Sequence, residues 1–372
     1  MNAHSVVFVT GTLRSGTTLL SKLLALALDT SPIVQPVQLI LVRLKALFLE
    51  QVGVPDWYVK YPLADDSFQT AIDMNAFIAF LERYRLERDV VQSWLVDDFR
   101  YSGVISKPDD DISPLSSWPG GDLKSFLLAY LAVLRAGAHK VVWKEVFCES
   151  YLPYLVRGKM PSVAIIRDPR DVILSQIAGN SDQHVGPRRP LLFQIRQWRK
   201  SVAWSLWLEE QAYGSRLSFE DLVRSPDAVV GGVLGSFFSP SAFTSLIKNA
   251  RLNSNSSFSN FTTVEPSAIG RYKLHLRSDI REFIEAACWP EMRLLEYEQS
   301  LSYSEALEVL GQSKLSFPQE RPELSYYEYC PERSREEIMR LKSLVLPDQD
   351  YRCEVHITRT AYAKLSAGLR AS

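Results

Sequence analysis

Two cationic clusters, each lying between a short apolar run and a helix-like stretch, carry the chemistry this sequence can perform. The first is Gly11-Thr12-Leu13-Arg14-Ser15-Gly16-Thr17-Thr18, which follows the β-branched run Val6 to Thr10 and precedes an apolar-rich segment ending at Leu28. Glycines at this G-x-x-x-x-G spacing let backbone N–H groups converge on an anion at the positive end of the next helix. In nucleotide triphosphatases a lysine follows the second glycine and reaches the β- and γ-phosphates, whereas here that residue is Thr17 and Arg14 stands inside the loop. A triphosphate would lack its main countercharge, while a ligand with one 5′-phosphate and one transferable anionic group would be served. The second cluster, Arg167-Asp168-Pro169-Arg170-Asp171, follows the run Ser162 to Ile166 and opens a helical stretch that carries Ser175. An arginine at a strand's end and a hydroxyl one or two turns into the following helix can both donate to a phosphate at the helix N-terminus.

Strands are expected at Val6–Thr10, Lys140–Trp143 and Ser162–Ile166, short and separated by long helical stretches. That rhythm predicts a P-loop-like three-layer α/β/α fold, doubly wound, with a mostly parallel central sheet and ligands at the carboxyl ends of its strands. Residues 1–300 form the α/β domain in this reading, with a helical lid or acceptor-binding insertion over 54–121, where Trp57, Tyr58, Tyr61, Trp94, Tyr101 and Trp118 could line an apolar pocket. A long helix is expected over Gln194–Gln211, its Trp198, Trp204 and Trp207 packing in the core. Residues 301–372 read as a helical C-terminal appendage whose clearest helix is Ser334–Leu346, stopped by Pro347.

Composition narrows the partners. A chain of 372 residues with 46% hydrophobic and 23% charged residues is that of an ordinary folded protein. Its formal net charge of −1 argues against general nucleic-acid binding, yet Arg157 to Lys200 holds nine Lys/Arg against three Asp/Glu, which points to an anionic ligand there. Cys148, Cys288, Cys330 and Cys353 are scattered without metal-ligand spacing and read as reduced thiols. Neither a signal peptide nor a membrane-spanning run is evident, so a soluble, cytoplasmic protein is expected.

Arg14-Ser15-Gly16-Thr17-Thr18-Leu19-Leu20 resembles the 5′-phosphosulfate loop of the sulfotransferases that use 3′-phosphoadenosine 5′-phosphosulfate (PAPS), in the arginine-bearing form of the bacterial, glycan and tyrosylprotein branches. Ile165 to Ser175 is similar to the 3′-phosphate motif of that family, with Arg167 and Ser175 in its arginine and serine positions. Leu217 to Pro226 resembles the family's Y-E-D-L-V-x-x-P strand and turn, with Phe219 in place of tyrosine and a structural role. Ile269-Gly270-Arg271-Tyr272-Lys273 is similar to the late segment that folds over the nucleotide, so Arg271 and Lys273 are candidate 3′-phosphate contacts. The four segments span residues 6 to 273 in family order.

The resemblance implies transfer of a sulfuryl group from PAPS to a hydroxyl or amine, leaving adenosine 3′,5′-bisphosphate and requiring no metal. Arg14 would meet the bridging and sulfate oxygens, Ser15, Gly16, Thr17 and Thr18 the 5′-phosphate, and Lys144 the transferring group. For the general base, the arginine-loop branches place a carboxylate soon after the first helix, where this chain has Gln35 and Gln38. Glu145, close to where the cytosolic branch has a histidine, is the favoured candidate, and His184 in a polar loop is the other. The acceptor is expected to be a small molecule, natural product or glycolipid. The competing readings are a P-loop nucleotide kinase or triphosphatase and a catalytically silent binder of the bisphosphate.

Overall fold

The computed structural model describes residues 3–56, 59, 62–64, 72–102, 115, 118–134, 139–178, 189–239, 266–313, 322–345 and 353–370. Five strands, β1 (Val6–Thr10), β2 (Pro32–Val34), β3 (Val141–Lys144), β4 (Ser162–Ile166) and β5 (Gly214–Ser218), form one sheet in the order β2-β3-β1-β4-β5. Every pairing is parallel. Residues of β1, β3 and β4 are buried throughout, as strands covered on both faces must be, and this explains their unbroken apolar runs. The strand expected at Lys140–Trp143 sits one residue later, so that Lys144 is its last member and stands opposite Val9.

The helices described are α1 (Thr17–Ala27), α2 (Gln38–Val52), α3 (Met74–Arg83), α4 (Arg88–Ser102), α5 (Leu123–Leu134), α6 (Leu152–Arg157), α7 (Pro169–Ile177), α8 (Leu191–Leu208), α9 (Phe219–Arg224), α10 (Pro226–Phe237), α11 (Tyr272–His275), α12 (Ser278–Ala287), α13 (Trp289–Leu294), α14 (Tyr303–Gln312), α15 (Pro331–Val345) and α16 (Arg359–Arg370). On one face of the sheet Val7, Val9, Val163 and Ile165 pack against α1, α9 and α10 through Leu20, Leu24, Leu222 and Val230. Across the sheet Phe8, Trp143 and Ala164 join α2, α3 and α5 through Leu41, Phe77 and Phe126. The result is the three-layer α/β/α arrangement expected from the sequence. Two of the helices expected in the insertion, α3 and α4, therefore share the core of β1 and β3 through Phe77, Val91 and Leu95.

A third cluster joins Ile166, Val172 and Trp198 to Phe283, Leu310, Leu341 and Ala361. The C-terminal helices α14, α15 and α16 thus pack on the same apolar group as the end of β4. At the centre of this arrangement stands α8, buried along almost its whole length with Trp198 and Trp204 inside, as expected. Among the described residues no helix is long and apolar enough to cross a membrane.

Candidate active site

Because β1 lies between β3 and β4, the residues that leave their carboxyl ends emerge side by side. Those residues are the Gly11–Thr18 loop, Lys144 and Arg167. The loop is shaped by close approach: a Cβ on Gly11 would lie 2.6 Å from the Ile165 carbonyl oxygen, and one on Gly16 would lie 2.4 Å from the Phe219 ring. Gly16, with φ of 102°, starts α1 from the left-handed region, and Arg14 adopts the same region with φ of 73°. Ser15 closes the turn, its amide and hydroxyl both donating to the Thr12 carbonyl at 3.0 and 2.6 Å. Its hydroxyl is thus committed within the loop.

Polar residues of α8 and α7 hold the loop from outside. Ser201 Oγ accepts from the Thr12 amide at 3.0 Å, the Thr12 hydroxyl donates to the Gln197 carbonyl at 3.4 Å, and Gln176 Nε2 donates to the Leu13 carbonyl at 2.9 Å. None of these three residues stood out in the sequence, where no local spacing ties them to the Gly11–Thr18 loop. Lys200, on the same helix and fully buried, donates to the Leu63 carbonyl at 2.9 Å and to the carbonyls of Ala64 and Phe147 at 3.4 Å.

Arg14 and Ser175, from the two clusters, meet directly, Arg14 Nε donating to Ser175 Oγ at 2.9 Å. Arg167 donates to the Arg14 carbonyl at 3.3 Å and to the Ala268 carbonyl at 2.6 Å, pairs with Asp171 at 3.5 Å, and lays its guanidinium 4.4 Å from the Phe219 ring centre. Phe219 therefore fills the space between Gly16 and Arg167. Burial, and then the nearby charge of Arg167, lower the pKa of Arg14. Trp198 donates its indole N–H to the Arg167 carbonyl at 2.8 Å and fixes the strand end.

The Arg-Asp-Pro turn works as a bracket. Asp168 caps α7 by accepting from the Arg170 amide and pairs with the Arg170 guanidinium at 2.7 Å, while its own amide donates to Glu220 at 3.0 Å. Asp171 accepts from the Gly270 and Tyr272 amides at 2.7 and 2.9 Å, and Arg170 lies 4.0 Å from the Tyr272 ring centre. The late segment is thereby fastened to the Arg-Asp-Pro turn. The side chains proposed from it are engaged elsewhere: Arg271 donates to the Ser267 carbonyl at 2.9 Å, and Lys273 pairs with Glu298 at 2.7 Å on the surface.

Lys144 is buried, and its Nζ donates to Gln35 Oε1 at 3.1 Å. Burial brings its pKa down to about 8, with Glu145 and Cys148 opposing the shift and Arg14 adding to it. Glu145 is fully buried and turns the other way, its Oε1 accepting from the Val37 amide and the Trp143 indole, both at 3.0 Å. His184 lies outside the described residues. Among the described residues no group of three or more His, Cys, Asp or Glu side chains could hold a metal ion.

The donor set fits a multiply charged anion. Arg14, Lys144 and Arg167 are three cations at neighbouring strand ends, Arg14 feels the charge of Arg167 and Lys144 that of Arg14, and the two glycines let the loop pack closely against Ile165 and Phe219. No family model and no curated protein matches the chain. Among solved structures it is similar to the sulfotransferase domain from the curacin biosynthetic pathway, with 16% identity and a TM-score of 0.38 over 80% of this chain and 100% of that one. It is also similar to the sulfotransferase domain from the Synechococcus PCC 7002 olefin synthase, with 14% identity and a TM-score of 0.39 over 85% and 97%. Both neighbours are sulfotransferase domains. The roles of individual residues here rest on this chain's own geometry.

Proposed function

We propose that this chain is a sulfotransferase that takes a sulfuryl group from PAPS and delivers it to a hydroxyl or amine of a small molecule, natural product or glycolipid. The observation that carries the reading is the convergence of Arg14, Ser175 and Arg167, which lie more than 150 residues apart in the sequence across the two clusters and touch at the ends of adjacent strands. Loop amides from Ser15 to Thr18 would hold the 5′-phosphate, with Arg14 and Lys144 toward the sulfuryl group, and Arg167 and Ser175 would hold the 3′-phosphate. Arg271 and Lys273 could join them once they leave Ser267 and Glu298.

Bound PAPS supplies the activated sulfuryl group and a phosphate leaving group. In the overall exchange the acceptor oxygen or nitrogen bonds to sulfur as the bond from sulfur to the 5′-phosphate oxygen breaks, that oxygen keeps the electron pair, and the acceptor proton is released. This chain aligns the partners and neutralises the charge that moves onto the phosphate. Glu145, with its carboxylate tied to Val37 and Trp143, positions the β3 end rather than taking the acceptor proton.

Calorimetry with adenosine 3′,5′-bisphosphate in the absence of metal, beside ATP with magnesium, tests the nucleotide assignment. Binding of the bisphosphate and not of ATP is expected, and the reverse preference would replace the reading with a kinase or triphosphatase. Radiolabel transfer from PAPS to a panel of alcohols, phenols, amino sugars and tyrosyl peptides then identifies the acceptor class. Bisphosphate binding with no transfer to any member would favour a silent binder.

A further inference from the structure

The residues after β2 form a relay of amides that ends on Lys144. Gln35 sits in the left-handed region with φ of 52°, and its backbone amide donates to the Lys144 carbonyl at 2.7 Å. That pairing turns the Gln35 side chain toward the lysine, where its Oε1 accepts from Nζ. Gln35 Nε2 donates in turn to Gln38 Oε1, and Gln38 Nε2 donates to the Val146 carbonyl at 3.4 Å. Every acceptor in this chain is uncharged. A left-handed backbone at a residue other than glycine costs about 1 kcal/mol or more and persists only where its surroundings enforce it, so the placement of this amide is specified.

A carboxylate in the place of Gln35 would accept the same hydrogen bond but neutralise the ammonium and hold its proton. An amide orients the amine and leaves its charge free. The charged or titratable groups that act on Lys144 are Glu145 and Cys148 from the segment after β3, and Arg14 from the loop after β1. Of these, Glu145 directs its Oε1 to Val37 and Trp143, and Arg14 repels the ammonium.

We infer that Gln35 is a positioning residue which, by holding the buried Lys144 amine through a neutral acceptor in place of a carboxylate, leaves its charge to be matched by the anionic nucleotide, whose arrival draws a proton onto it. The inference rests on the nucleotide reading above. It makes binding and protonation one linked event: the ligand's negative charge restores the ammonium, and the restored charge holds the ligand.

The test is calorimetry of adenosine 3′,5′-bisphosphate binding at pH 8 in buffers of different ionisation enthalpy, which counts protons taken up with the ligand. An amine half-deprotonated at this pH takes up about half a proton on becoming fully charged. That uptake is expected in the unmodified protein and is expected to vanish in Lys144→Met. Gln35→Glu, which supplies a charged acceptor, should also bring it near zero, whereas Gln35→Met, which supplies no acceptor and no charge, should retain it. Uptake in Gln35→Glu equal to that of the unmodified protein would show that the charge of the acceptor at this position has no bearing on the amine, and that result overturns the inference. So does bisphosphate binding without uptake in the unmodified protein, or uptake that survives in Lys144→Met, either of which is decided without the Gln35 variants. Failure of the unmodified protein to bind bisphosphate at all would instead remove the nucleotide reading.

Discussion

Replacing Lys144 with methionine is expected to make the protein more stable and less active, and the structure gives the size of the first effect. The lysine is 3% exposed, and its pKa falls from 10.5 to about 8 because burial disfavours its charge. In the unfolded chain the amine keeps its proton up to about 10.5, while in the folded protein it releases it near 8. Between these values unfolding takes up a proton, so rising pH favours the folded state, and below pH 8 the full cost of burying the ammonium is present. At 1.36 kcal/mol for each pH unit that cost is about 3 kcal/mol. Methionine has nearly the same length and no charge, and its loss of the bond from Nζ leaves Gln35 Oε1 short of a donor, an opposing cost of roughly 1–3 kcal/mol. The expected net gain at pH 7 is about 0–2 kcal/mol, shrinking and then reversing as pH approaches 10.5. Urea unfolding of both proteins at pH 7, 8.5 and 10 measures it. A variant less stable than its parent at pH 7, or a difference between the two that does not change with pH, would refute the argument that Lys144 is held against its own preference.

Other substitutions probe the parts that hold the site. Gly16→Ala places a Cβ against the Phe219 ring in a backbone region that alanine avoids, so it should lower stability by about 2 kcal/mol or more and abolish bisphosphate binding, measured by thermal melting and calorimetry. Asp171→Asn removes a charged acceptor from the Gly270 and Tyr272 amides, and a bisphosphate affinity at least tenfold weaker is expected together with faster proteolysis near Pro266–Tyr272. Glu337, on α15, is a buried partner of Arg196 and Arg199; burial alone would raise its pKa, but Arg199 and Arg196 bring it from 4.5 down to about 2. Its contribution is therefore fully present above about 4.5 and lost as pH falls toward 2. Glu337→Gln should cost about 3–5 kcal/mol in urea unfolding at pH 7 and much less near pH 2.

What the sequence disclosed and what it hid divide along the distance between partners. The glycine loop and the Arg-Asp-Pro turn are legible because their function is local: a tight turn, a helix start and a cation within a few residues leave a fixed spacing. β1 and β4 followed from the same locality, since both are buried on both faces and read as short apolar runs, whereas β2, only three residues long, leaves no such run. β3 was displaced by one residue because Lys144, a charged residue at the end of an apolar run, reads as the first loop position, while in the fold Val9 pairs with it.

The role of α8 was out of reach for the opposite reason. Its tryptophans mark it as a core helix, but Arg196 and Arg199 answer to Glu337, 141 and 138 residues away, and Ser201 and Gln197 answer to Thr12, 189 and 185 residues away. No local spacing encodes such pairs. One helix holds the Gly11–Thr18 loop through Ser201 and Gln197 and the C-terminal helix α15 through Arg196 and Arg199, so the residues after 300, which read as an appendage, bear on the element that shapes the loop. Glu145 shows the same limit at close range: beside a strand-end lysine a carboxylate reads as a base, and nothing local signals that its Oε1 accepts from the Val37 amide, 108 residues earlier.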